Sequence, residues 1–214
     1  MIIDEPVVIK PAKPEGTVTL FDVRFGKNNF WSSAEDRSYR GEMEVSIDNG
    51  IIKIINILSL EEYLYGVVPA EMPANWPQEA LKAQAVAARS ESIAKIGRHR
   101  SDGFDLCAEV HCQVYSGVER ETQLSNMAVD STRGVILEYD SKAVDAIYSS
   151  NCGGHTQDDI FGSSGPAPYF TGIVDMSDDQ KLVFPLSPFE MESWLKDPPS
   201  GIYCNIPEYN KPSN

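Results

Sequence analysis

The tightest constraint on this chain is a β-hairpin that runs straight into a helix start. Met43, Val45 and Ile47 alternate as on one face of a strand, Asn49 and Gly50 supply the left-handed dihedrals of a two-residue turn, and Ile51 to Leu58 return. Ser59 and Glu62 then stand at capping-box spacing, where a hydroxyl and a carboxylate satisfy each other's free backbone amides. Leu60, Tyr63, Leu64, Val67 and Val68 form an apolar helical face behind that cap, and Pro69 is expected to stop the helix. With the segments that follow, the order of strands, helices and strands points to an α+β fold, with a mixed or antiparallel sheet and a central small-residue helix pair, rather than alternating parallel units.

The remaining segments agree. Residues 1–16 carry Pro6, Pro11, Pro14 and Gly16 and suit an extended arm or edge connection. Thr17 to Phe25 alternates as a strand, and residues 26–40 read as polar and irregular. A second helix is predicted from Pro77 to Ile96, with Gly97 as terminator, and its face is built from Leu81, Ala85 and Ala88 beside further alanines. Such a small-residue stripe lets another helix pack closely. Leu124, Met127, Ala128 and Ser131 recur at helical spacing before Gly134, a left-handed cap candidate. Val135 to Tyr139 and Lys142 to Tyr148 flank Asp140 and Ser141 as a hairpin, and Phe189 to Leu195 is a short helix in a proline-interrupted end. The reading divides the chain into an arm (1–16), a core (17–175) and a Pro-rich segment (176–214).

Charge narrows the partners. The net charge of −14 repels phosphate backbones and anionic membranes, and the densest basic stretch holds only Lys95, Arg98 and Arg100 around His99. Nucleic acid is therefore not expected as a partner. No apolar run approaches the ~20 residues of a membrane span, and Met1 to Lys10 is too short and acidic for a signal peptide.

Glu71 lies between Pro69 and Pro73, on a connection stiffened by both prolines and flanked by Val68, Met72 and Trp76. A carboxyl group held rigidly in a partly apolar setting suits proton donation, although a solvated or helix-capping glutamate fits the same spacing. Cys107, His111 and Cys112 fall close together with His99 upstream, all residue types that zinc accepts, while Cys152 and His155 form a competing set. Ser149, Ser150 and Asn151 with Gly153 and Gly154 offer hydroxyls, an amide and bare backbone, suited either to a polysaccharide or to a tight turn.

The run Leu60 to Pro73, with Glu71-Met72-Pro73 at its end, followed by Glu79 to Arg89, resembles the hallmark of the SpoIID/LytB family, the stage II sporulation protein D group. Tyr39-Arg40-Gly41, Gln113-Val114-Tyr115 with Gly117, Thr132-Arg133-Gly134 and Gly153-Gly154-His155-Thr156 extend the likeness over residues 38–175. The resemblance implies a substrate groove and lytic transglycosylase activity on peptidoglycan glycan strands, with Glu71 as catalytic acid. It also implies an extracytoplasmic setting, and other cell-wall hydrolases as partners if the chain is instead a non-catalytic amidase enhancer. Gln113, Tyr115 and His155 join Ser149, Ser150, Gly153 and Gly154 as expected substrate-binding residues. Gln84 and Arg89 either bind sugar hydroxyls or tie helix to loop. By the same resemblance His99, Cys107, His111 and Cys112 would hold one structural zinc, and no organic cofactor is expected. In an oxidising setting disulfides compete with metal, and Cys152 with Cys204 is the pairing to test.

Overall fold

The computed structural model describes residues 5–26, 32–48, 50–157, 167–176, 186–197 and 201–205. The chain forms two compact units, Met1–Ile147 and Tyr148–Asn214, a division that falls before the 175/176 boundary read from the sequence. The architecture is α+β, with antiparallel pairing throughout the described sheets. No helix among the described residues is long and apolar enough to cross a membrane.

In the first unit the hairpin forms as its pattern requires. Strands β4 (Glu42–Asp48) and β5 (Ile51–Ile57) pair with Asp48 opposite Ile51, and Gly50 takes a φ of +78°. Asn49, the other expected turn residue, lies outside the described residues. The arm supplies an edge strand, β1 (Val7–Ile9), on the free side of β4, so the order is β1-β4-β5. A separate two-stranded ribbon joins β2 (Val18–Phe25) to β3 (Ser33–Tyr39). The irregular course expected for 26–40 is thus corrected over Ser33–Tyr39. Its charged residues conceal the strand because what it buries is Arg37 together with Tyr39 at its end, and no aliphatic side chain. That guanidinium donates to Glu35 at 2.8 Å and lies 4.6 Å over the Phe25 ring.

Helix α1 (Leu60–Glu71) starts at the capping box of Ser59 and Glu62 and buries Leu64, Gly66, Val67 and Val68. It does not stop at Pro69. That residue cannot donate to the Tyr65 carbonyl, but so near the end the loss is one bond, and the Met72 amide closes the last turn on the Val68 carbonyl at 3.0 Å. Helix α2 (Gln78–Lys95) presents Leu81, Ala85 and Ala88, all fully buried, and packs on α1 and on α3 (Gln123–Ser131). Alanine-sized side chains permit this close three-helix contact. Past α3, Gly134 has a φ of +73°. The following hairpin keeps only β6 (Glu138–Tyr139) and β7 (Lys142–Ala143), with Asp140 and Ser141 left-handed at the turn. Its strands are shorter than their apolar pattern suggests, because the Leu137 amide donates to the Ser90 hydroxyl of α2 at 2.8 Å.

Among its described residues the second unit has one α-helix, α4 (Pro188–Lys196), capped by Ser187 and Glu190 and burying none of its residues, and a short 3-10 turn at Tyr203–Asn205. Trp194 donates its indole N–H to the Gly153 carbonyl at 2.8 Å, and Ile202 is buried against Gly154, where a Cβ would meet its side chain at 2.6 Å.

A partly buried charge cluster ties α2 to the segment after β7. Lys95 bridges Glu91 and Asp145, the latter at 3.3 Å. Burial, and then contact with the Asp145 carboxyl, push the Glu91 carboxyl up to about 7, against the opposing pull of Lys95. Because the folded chain then holds a proton that the unfolded chain releases near pH 4.5, this contribution to stability is full below that pH and is lost as pH rises to about 7. Urea titrations across this window should show stability falling with pH, and Glu91→Gln should remove that part of the slope.

Candidate functional site

Glu71 is the last residue of α1 and is half-buried, rather than standing on the inter-helix loop that Pro69 suggested. Its Oε1 accepts the Val114 backbone N–H at 2.7 Å. Among the described residues Oε2 engages no protein group.

The residues around Val114 explain why that amide is in place. Gln113 is buried and donates through Nε2 to the Ser92 hydroxyl at 2.8 Å and to the Ala88 carbonyl at 3.4 Å, pinning the segment to α2. Tyr115 is also buried, donates its hydroxyl to Asn56 Oδ1 on β5 at 2.8 Å, and packs against Tyr63 and Tyr39 with ring centroids 5.0 and 5.9 Å away. Gly66 makes room for it, since a Cβ there would lie 2.6 Å from the Tyr115 ring. Gly117, at φ +74°, then turns the chain so close to the Ser38 carbonyl that a Cβ would lie 2.2 Å from it. Gln113 and Tyr115 therefore hold the strip that holds Glu71.

Tyr63 belongs to the same neighbourhood, and its place in an apolar helical stripe gave no sign of it. Burial pushes its hydroxyl well above the ordinary tyrosine range, and Cys112, Cys107 and Glu71 add to the effect.

Immediately before this strip, His99, Cys107, His111 and Cys112 converge, with one donor atom from each lying within 4.8 Å of the others. Cys112 Sγ is 3.5 Å from His99 Nε2 and 3.8 Å from His111 Nδ1, and Cys107 Sγ is 3.7 Å from His111 Nδ1. These spacings approach the edge of about 3.6 Å expected for sulfur and nitrogen around one tetrahedral zinc. The other nitrogen of His99 meets Asp102 at 3.1 Å, which turns Nε2 toward the cluster, as a supporting carboxylate outside the site commonly does for a ligating histidine. Neighbouring His111 and Cys112 can face one point because the chain turns there, with the Cys112 amide on the Glu109 carbonyl at 3.0 Å. Two cysteines and two histidines in this arrangement fit a closed structural zinc site.

The other expected residues are placed differently. Arg89 is 1% exposed. It grips Glu61 through two contacts, at 2.8 and 3.1 Å, and donates to the Val129 and Val135 carbonyls, so it joins α1, α2 and the end of α3. Of its two readings the geometry supports the tie between elements. Gln84 is buried, and among the described residues its amide Nε2 has no partner. Ser149, Ser150, Gly153, Gly154 and His155 all lie in the second unit. There the Asn151 side chain accepts the Gly153 amide at 2.7 Å, Ser149 donates to the Asn151 carbonyl at 3.3 Å, and His155 bridges to Val174, which makes the segment a tight turn. Cys152 gathers with Asp175 and Cys204; His155 is not part of that cluster.

Residues 48–139, which contain Glu71, the Cys/His cluster and Arg89, match the family model described as Stage II sporulation protein (SpoIID). The chain is 41% identical over 119 residues to the amidase enhancer of Bacillus subtilis, covering 55% of this chain and 16% of that protein. It is 33% identical over 131 residues to stage II sporulation protein D of Bacillus subtilis, covering 54% and 38%. An uncharacterized protein of Brachyspira hyodysenteriae shares 38% over 138 residues, covering 63% and 37%. Over these residues the chain is similar to the SpoIID family and to its amidase-enhancer relative. It spans between 16% and 38% of the length of these curated relatives.

Removing one partner of a buried ion pair leaves the other charge uncompensated. Arg89→Ala should therefore lower the free energy of unfolding in urea by about 3–5 kcal/mol. A loss below about 1 kcal/mol, the range of exposed pairs, would deny Arg89 this structural role.

Proposed function

We propose that the chain carries the catalytic region of a peptidoglycan lytic transglycosylase, with Glu71 as its acid. The observation that supports this reading most directly is the Glu71 carboxyl, fixed at one oxygen by the Val114 amide and with no protein partner at the other among the described residues. In the proposed reaction the protonated carboxyl gives its proton to the glycosidic oxygen as the bond between N-acetylmuramic acid and N-acetylglucosamine breaks. The resulting carboxylate then takes the proton of the muramic 6-hydroxyl as that oxygen attacks the anomeric carbon of the same sugar, closing a 1,6-anhydro ring. Hydrolytic glycosidases generally need two carboxyl groups because a water or a covalent intermediate must be managed. Intramolecular attack replaces that water and draws on proximity, so one carboxyl group suffices. A groove beside Glu71 admitting a glycan strand, and an extracytoplasmic place of action at the cell wall, belong to the same proposal.

A second reading is favoured by one relative, named an amidase enhancer: the region binds wall polymer and stimulates another cell-wall hydrolase without cutting glycan itself. Its weakness is that it gives the aligned Glu71 carboxyl no task.

The zinc proposal concerns support, not chemistry. His99, Cys107, His111 and Cys112 would hold one ion that crosslinks the loop following α2 to the strip bearing Val114. Tyr63, Gln113 and Tyr115 complete the frame on which Glu71 is oriented.

Digestion of purified cell-wall sacculi should release anhydro-ended fragments, and Glu71→Gln should reduce release by at least about a hundredfold, the scale of a positioned general acid, without changing the circular dichroism spectrum. Equal release by both proteins would remove Glu71 from the mechanism, whereas wall binding with no product from either would favour the enhancer. Metal analysis should find about one zinc per chain, and Cys112→Ser should lose it together with part of the thermal stability. Zinc below about a tenth of an equivalent in the wild type would exclude a closed structural site.

A further inference from the structure

We infer that Cys152 and Cys204 are joined by a disulfide that staples the second unit, a feature independent of whether Glu71 cleaves glycan. Their Sγ atoms lie 3.4 Å apart, in van der Waals contact across a sequence separation of 52. Three short backbone segments put them there. Asp175 stands between the two cysteine-bearing stretches: its amide donates to the Gly154 carbonyl at 2.8 Å, and its carbonyl accepts the Tyr203 amide at 3.1 Å. The bridges His155↔Val174 and Met176↔Ile202 continue this small ladder on both sides. Ile202 is seated on Gly154, at a φ of +90°, where any larger residue would force the segments apart. The meeting of the two sulfurs thus follows from backbone register and packing.

Such a link would also strengthen the unit. Among its described residues only Gly154 and Ile202 are buried, and α4 contributes no buried side chain. In a small unit a covalent crosslink closing a long loop adds to apolar burial by restricting the unfolded chain. Zinc on the same residues fits less well. Cys152, Asp175 and Cys204 supply three donors among the described residues instead of the four of a closed site, and tetrahedral zinc would spread the sulfurs to about 3.8 Å.

The chemistry requires an oxidant of the disulfide class, such as glutathione disulfide. One cysteine thiolate attacks a sulfur of the oxidant and expels a thiolate, giving a mixed disulfide. The second cysteine thiolate attacks that linkage at the first cysteine's sulfur, forming the Cys152–Cys204 bond and releasing the second thiol of the oxidant. Both cysteines give up their protons, and the two electrons go to the oxidant. Cys152 and Cys204 are each half-buried, which leaves them reachable for this exchange.

The test uses the full chain, equilibrated with glutathione disulfide, alkylated and digested with trypsin without reduction. Cys152 falls in peptide 143–181, Cys204 in 197–214, and Cys107 and Cys112 share peptide 101–120, so the pairings separate by mass. The expected result is 143–181 linked to 197–214. Brief trypsin treatment of the folded protein should cut after Lys196 about tenfold more slowly in the oxidised than in the reduced chain, with Cys152→Ser and Cys204→Ser both cut at the reduced rate. Recovery of 143–181 and 197–214 separately alkylated after oxidation would overturn the proposal. A linked pair without slower cutting would overturn the stapling role. Zinc that survives Cys107→Ser but disappears in Cys152→Ser would overturn it in favour of a metal site on these residues.

Discussion

Gly66 is the point on which the first unit turns. A helix residue with any side chain would strike the Tyr115 ring, and with Tyr115 displaced its hydroxyl would leave Asn56, Gln113 would leave Ser92, and the Val114 amide would leave Glu71. One absent Cβ therefore allows a loop strip to lie against α1 and be held at once by a helix, by a strand and by a carboxylate. The same strip begins at Cys112, so the convergence of the Cys/His cluster and the alignment of Glu71 depend on a single seating event.

The parts of this architecture that were legible in the sequence are those governed by local chemistry. The β4–β5 hairpin follows from alternation and its turn residues, α1 from the Ser59/Glu62 box, and α2 from its alanine face, because each needs only neighbours along the chain. What was not legible is governed by partners far away in sequence. β3 buries an arginine whose companions are Glu35 and Phe25, so it carries no apolar alternation to read. The strands around Asp140 and Ser141 shorten because a serine on α2 claims one of their amides. Pro69 misled because its effect depends on how many helical bonds remain beyond it, and that number is set by the helix end.

The candidate site shows the same division. Glu71 and the four Cys/His residues stood out by type and spacing, and the fold brings the latter together. Tyr63 did not stand out, since a tyrosine in an apolar stripe reads as core. Arg89 stood out as polar, yet its surroundings give it a structural task at the junction of three helices. Residue type announces chemistry, but only the set of partners separates a group that meets a ligand from one that meets the protein.

The last turn of α1 carries a further consequence. Pro69 interrupts the ladder there, and the Glu71 side chain takes its bearing from an amide 43 residues later in the chain. The helix alone therefore leaves the carboxyl unaimed. Its orientation depends on the later loop being docked, so a chain in which that loop is displaced keeps the carboxyl but loses the amide that aims it.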